Sequence, residues 1–255
     1  SRGLTLRDAR DYNIIGCVEP QKSGKTEGWH DAAFFNMCRP LELVFSNGMD
    51  KGVRIGPATG NVEDMTTFEQ FYDAYKKQMD YAIQLLVNAD NAIDMAHAER
   101  CPLPFLSSMV DDCMKVGKTV QEGGAVYNFT GPQGFGVANM ADSLYSVKTL
   151  VYDEKKITMG ELKEALATNY GKGLGAEDVA AMTAKIANEL KEAGKTIGEK
   201  EVAAILNTVV AASEAPEVKA NGERILKLIE EVPKFGNDIP EVDAFARDVA
   251  YTYTE

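Results

Sequence analysis

One helical period constrains this chain more than any other feature. Thr66 and Thr67 precede Glu69 and Gln70 at the spacing of a capping box, in which a threonine hydroxyl and a Glu or Gln side chain cap each other's backbone N–H. Phe68, Phe71, Tyr75, Met79, Ile83, Leu86 and Ile93 then trace one face. The pattern predicts a helix to about Glu99, stopped before Pro102 and Pro104. With 255 residues, the chain can build one large domain or two modest ones around it.

The segments on either side are shorter. YNIIGCV (12–18) predicts a buried strand that turns at Gly16, and 20–28 is turn-rich. Phe34, Met37, Leu41 and Val44 recur at helical spacing, which predicts a helix from Trp29 to Phe45 despite Pro40. Residues 49–65 read as a Gly-rich loop and 104–116 as a helix or strand. AVYNF (125–129) predicts a strand, TGPQGFG a tight turn, and about 137–151 a helix. From Thr158 onward helices dominate, at 159–169, 176–193, 198–213, 219–231 and 239–253. Thr158/Glu161 and Thr196/Glu199 repeat the capping-box spacing.

Charge and composition exclude some functions. The net charge of −12 argues against general nucleic-acid binding, which needs clustered Lys and Arg. No apolar run approaches the ~20 residues of a membrane span, and SRGLTLRDARDY lacks the apolar core of a signal peptide, so a soluble cytoplasmic protein is expected. No two of Cys17, Cys38, Cys101 and Cys113 form a CxxC pair, and the chain has 2 histidines, so a zinc site has little support. Cys38, Cys101 and Cys113 are expected to be small buried residues.

The stretch IIGCVEPQKSGKTEGWHDAAFF (14–35) concentrates the chemistry. Gly24-Lys25-Thr26 ends like a phosphate loop, but the position that needs the first glycine is Glu19, a carboxylate that would repel phosphate. Gly131-Pro132-Gln133-Gly134-Phe135-Gly136 follows a strand, but its spacing is not that of a dinucleotide turn. It reads as a strand-to-helix turn and a pocket wall. Cys17 and His30 could form a thiolate–imidazole dyad. On an extended segment, Cys17 and Glu19 point to one face. A neighbouring carboxylate disfavours a thiolate, which makes Cys17 a poor ionic nucleophile. The same pair suits a neutral sulfur radical beside a proton acceptor. A buried cysteine next to a solvated glutamate remains the plain alternative.

GCVEPQ, KTEGWHDAAFF, AHAERCPLPFLSSMVDDC, EGGAVYNFTGPQGFGVANMADSLY and KFGNDIPEVDAFARDVA together resemble the glycyl radical enzymes, specifically the glycerol and 1,2-propanediol dehydratase-like branch. The resemblance implies an α/β fold. It would be part of a ten-stranded barrel with surrounding helices: barrel residues 1–171, a helical insertion at 172–222, and a helical continuation at 223–255. It implies a thiyl radical on Cys17, with Glu19 taking a substrate hydroxyl proton. Asp31 would hold a substrate hydroxyl, and His30 and Phe34 would line the pocket. The radical glycine of the family lies in an Arg-Val-x-Gly-Tyr-type motif absent from these 255 residues. The chain is therefore expected to be an internal piece of a longer enzyme, inactive alone.

Further expectations come from the same resemblance. A partner enzyme using S-adenosylmethionine and an iron–sulfur cluster would install the radical. The whole enzyme would be a homodimer, cytoplasmic or housed in a bacterial microcompartment, with a small diol as substrate and no bound cofactor or metal. Residues 172–222 favour the propanediol branch. Isethionate sulfite-lyase and 4-hydroxyproline dehydratase are alternatives within the family. A non-catalytic scaffold and a cysteine hydrolase using His30 are the alternatives outside it.

Overall fold

The computed structural model describes residues 3–16, 19–50, 52–172, 199–213 and 215–254. Helix α1 (Leu6–Arg10) starts at Thr5, whose hydroxyl accepts from the Asp8 N–H. Strands β1 (Asn13–Ile15) and β2 (Glu19–Gln21) form an antiparallel hairpin, with Ile15 opposite Glu19. A turn over Lys22–Lys25 leads to β3 (Thr26–Trp29), and a second turn leads to β4 (Phe34–Asn36). Helix α2 (Cys38–Phe45) follows.

The helix expected over 29–45 therefore begins only at Cys38. Its first half is strand because partners about a hundred residues away complete the ladders. β3 pairs in parallel with β7 (Tyr127–Thr130), and β4 pairs in parallel with β8 (Gln133–Phe135). β8 also corrects the reading of 131–136 as a plain turn. The expected loop 49–65 holds a small hairpin of β5 (Met49–Asp50) and β6 (Val53–Arg54), then a 3₁₀ turn at Val62–Asp64.

The long helix is present as α3 (Phe68–Arg100). Its capping box forms: Thr67 Oγ1 accepts from the Gln70 N–H, and Gln70 Oε1 accepts from the Thr67 N–H, both at 3.3 Å. Residues 104–116 hold two short helices, α4 (Pro104–Ser107) and α5 (Cys113–Val116). Helix α6 (Val137–Val147) runs on into a π-helical turn at Lys148–Asp153, and α7 (Met159–Ala167) carries the Thr158–Glu161 capping box. Then come α8 (Glu199–Ser213), α9 (Pro216–Glu231) and α10 (Pro240–Thr254). The helix expected at 176–193 and the cap at Thr196 lie outside the described residues. So does much of 172–222, although α9 runs unbroken through position 222.

The core sits where α3, α6, α9 and α10 meet. Phe71, Tyr75, Met79, Met140, Leu144, Ile225 and Val249 are completely buried there. Burying each such side chain contributes about 1.5–3 kcal/mol. Phe68 stacks on Tyr72 and meets Phe245 edge-on at 5.6 Å, which joins α3 to α10. The expected apolar face of α3 is buried as far as Met79; farther along, Ile83 and Leu86 are half-buried and Ile93 is exposed. Among the described residues, no helix is long and apolar enough to cross a membrane.

Candidate active site

Strands β1 and β2 flank Cys17 and Val18 in the sequence, and those two residues lie outside the described ones. Gly16, just before them, has φ +60°, a conformation glycine adopts without strain. A Cβ at that position would lie 2.7 Å from Glu19 Oε2, so glycine also makes room for the carboxylate.

Glu19 is 8% exposed, and its Oε1 accepts a hydrogen bond from Gln133 Nε2 at 2.8 Å. The same nitrogen donates to Asp31 Oδ1 in a second bond. Only the NH₂ end of a glutamine can face two carboxylates, so chemistry dictates the orientation of this amide. Gln133 thus ties the hairpin to the turn between β3 and β4. Two residues beyond Glu19 on the same strand, the Gln21 amide is hydrogen-bonded to His30 Nε2. The His30 ring meets Phe129 edge-on at 4.9 Å. Phe34 is 67% exposed, and the β4–β8 register sets it opposite Gln133, so both side chains leave the same face.

Of the expected site residues, Glu19 and Asp31 are linked through the Gln133 amide. His30 is linked to the strand of Glu19, and Phe34 stands at the open edge. Gln133 and Gln21 were not anticipated as site residues. The signal for Gln133 was a polar residue among glycines in a segment already read as a pocket wall. Gln21 carried no signal beyond its i+2 spacing from Glu19.

His30 and Asp31 border a cleft of about 850 Å³, also lined by Trp29, Asp94, His97 and Phe129. Thr130 donates to Asp94 at 2.5 Å, and Trp29 meets His97 edge-on at 5.1 Å, so His97 is a packing partner. Burial pushes the Glu27 carboxyl in this cleft up, against the opposing pull of His30. Among the described residues, the lining contains no Lys or Arg and no cluster suited to a metal ion.

Lys25 and Thr26 do not form a phosphate loop. Lys25 Nζ bonds Asp8 at 3.0 Å, and the Thr26 hydroxyl accepts from the Lys22 N–H at 2.9 Å. The expectation of three buried cysteines is corrected: Cys113 is buried, Cys38 is half-buried and Cys101 is exposed. Cys101 follows α3 as its C-cap residue. Burial raises the thiol pKa of both Cys38 and Cys113, which disfavours their thiolates.

Residues 1–255 match the model of the pyruvate formate lyase-like family, and the chain belongs to that family. Within it, the chain is similar to dehydratases of small hydroxylated substrates. It is 58% identical, with a TM-score of 0.89, to a structure described as 1,2-propanediol dehydration in Roseburia inulinivorans, covering 99% of this chain and 30% of that one. It is 49% identical, with a TM-score of 0.77, to the glycerol-bound form of the B12-independent glycerol dehydratase from Clostridium butyricum, covering 99% of this chain and 26% of that one. It is 40% identical over 171 residues to the (2S)-3-sulfopropanediol dehydratase of Klebsiella oxytoca, covering 66% of this chain and 21% of the relative. The chain therefore spans less than a third of the length of each of these proteins.

Proposed function

We propose that this chain carries the Cys loop and substrate anchors of a glycyl radical C–O lyase that removes water from a small diol such as 1,2-propanediol or glycerol. One observation carries the reading: Gln133 Nε2 bonds both the Glu19 and the Asp31 carboxylate, which keeps two acceptors suited to a two-hydroxyl substrate within reach of one side chain. The likeness to 1,2-propanediol and glycerol dehydration structures supports it.

In this reading the hairpin 13–21 projects into the centre of a ten-stranded barrel, with 172–222 as a helical insertion. A glycine outside these residues, oxidised by an S-adenosylmethionine iron–sulfur activating enzyme, supplies the radical equivalent. Cys17 then works as a thiyl and takes a hydrogen atom from the carbon bearing one hydroxyl, breaking C–H and forming S–H. Glu19 accepts the proton of that hydroxyl. The neighbouring hydroxyl, anchored by Asp31, leaves as water with the proton that Glu19 took up, which restores Glu19 as a base. Return of the hydrogen atom from sulfur gives the aldehyde and restores the thiyl. Diol is converted to aldehyde and water with no net redox change.

Charge favours a neutral diol. Glu27, Asp31, Asp94 and Glu122 line the cleft, and any cations for a sulfonate would have to come from outside these residues. The test is to activate the full-length protein anaerobically and assay propanal from 1,2-propanediol, with glycerol, isethionate, 3-sulfopropanediol and 4-hydroxyproline as competitors for the role. Turnover of a diol, abolished by Cys17→Ser, is expected. A Cys17→Ser enzyme with full turnover would refute the thiyl role, and preference for a sulfonate would refute the diol.

A further inference from the structure

We propose that Gln133 is a positioning residue, whose single amide nitrogen sets the spacing between the proton acceptor Glu19 and the hydroxyl anchor Asp31. The inference rests on the roles proposed above for those two carboxylates and adds a third group to them. The observation is the pair of bonds from Gln133 Nε2, to Glu19 Oε1 at 2.8 Å and to Asp31 Oδ1.

The chemistry explains why an amide suits the position. Two carboxylates brought to one place repel, and one of them tends to take up a proton. A donor between them offsets that repulsion. Lysine or arginine would do so too, but a full positive charge would weaken Glu19 as a base, since a base works best when its affinity for protons is matched to its task. An amide donates two hydrogen bonds and adds no charge. The backbone supports the placement. Gln133 begins β8, its N–H donates to the Ala33 carbonyl at 2.8 Å, and the β4–β8 ladder follows. On the far side, the Tyr253 hydroxyl of α10 donates to the Pro132 carbonyl at 3.1 Å. Backbone bonds therefore hold the segment carrying Gln133 beside the turn that carries Asp31 without using either carboxylate.

The test uses Gln133→Met, which keeps the length of the side chain and removes both donors, and Gln133→Asn, which keeps the amide. In the activated full-length enzyme, Gln133→Met should lower kcat about 10²-fold, the scale of a misplaced catalytic group. Gln133→Asn should recover part of that loss. A crystal structure of unactivated Gln133→Met should show the Glu19 and Asp31 carboxylates displaced relative to each other. Wild-type kcat in Gln133→Met would overturn the proposal, as would unmoved carboxylates in its crystal structure. The crystallographic arm needs no turnover. If the wild-type enzyme acts on no diol, the functional reading fails while the role of Gln133 is still decided.

Discussion

Glu19 and Asp8 show how little of a residue's role follows from its type. Both are buried acids near the start of the chain. Glu19 accepts from the Gln133 amide and is the base of the proposed reaction. In the activated full-length enzyme, Glu19→Gln should lower kcat by about 10²–10⁴-fold, the range for loss of a general base, while diol binding to the unactivated protein persists by calorimetry. Asp8 accepts from the Tyr127 hydroxyl at 2.7 Å and from Lys25 at 3.0 Å, pinning α1 to β7 and to the turn before β3. The Tyr127 bond first, then Lys25, holds the Asp8 carboxyl down to about 2 from its ordinary 3.8. A lowered carboxylate stabilises the fold above its unfolded value and stops doing so as pH falls through the folded one. This contact should therefore be intact at neutral pH and be lost between about pH 4 and pH 2. Asp8→Asn should flatten that acid limb in a tyrosine-fluorescence titration.

At the scale of elements, the capping boxes and the β3–β7 ladder are the testable units. Thr67→Ala removes the hydroxyl that caps α3 and should cost about 1 kcal/mol, visible as a fall in Tm of about 2–4 °C. Gly28 lies opposite Phe129 in the ladder. A Cβ at 28 would lie 2.3 Å from the Phe129 ring and 2.8 Å from His30 Nε2. Gly28→Ala should force both rings aside at a cost of about 1–3 kcal/mol and disturb the Gln21–His30 contact. The expected result is a raised KM for the diol together with the lower Tm. An unchanged KM would detach His30 from substrate binding. The β4–β8 ladder shows why the helix expected over 29–45 starts late. Phe34, Met37, Leu41 and Val44 do keep a helical period, and α2 uses its second half. Residues 34–36 instead pair with 133–135, and no local pattern announces a partner so distant.

For the whole molecule, stability and site belong to different regions. The core gathers buried side chains of α3, α6, α9 and α10 into one cluster, while the candidate site is assembled from β2, the β3–β4 turn and β8. Phe71→Ala in that core should cost about 3–5 kcal/mol in denaturant unfolding and leave the carboxylate arrangement intact in the folded fraction. Loss of the fold and loss of the site are thus separable experiments.

What the sequence determined alone was local or strongly periodic: the start of α3 at Thr67, the Thr158–Glu161 cap, most helices after 158, and the strand-to-helix course around 127–147. Its motifs also pointed to the family and to Glu19, His30, Asp31 and Phe34. The parallel pairing of β3 with β7 and β4 with β8 was decided only by the tertiary structure. So was the meeting of Glu19 and Asp31 on Gln133. The reason is physical: the capping bonds close within a few residues, whereas the bond from Gln133 to Glu19 crosses 114 positions and forms only once the sheets have paired.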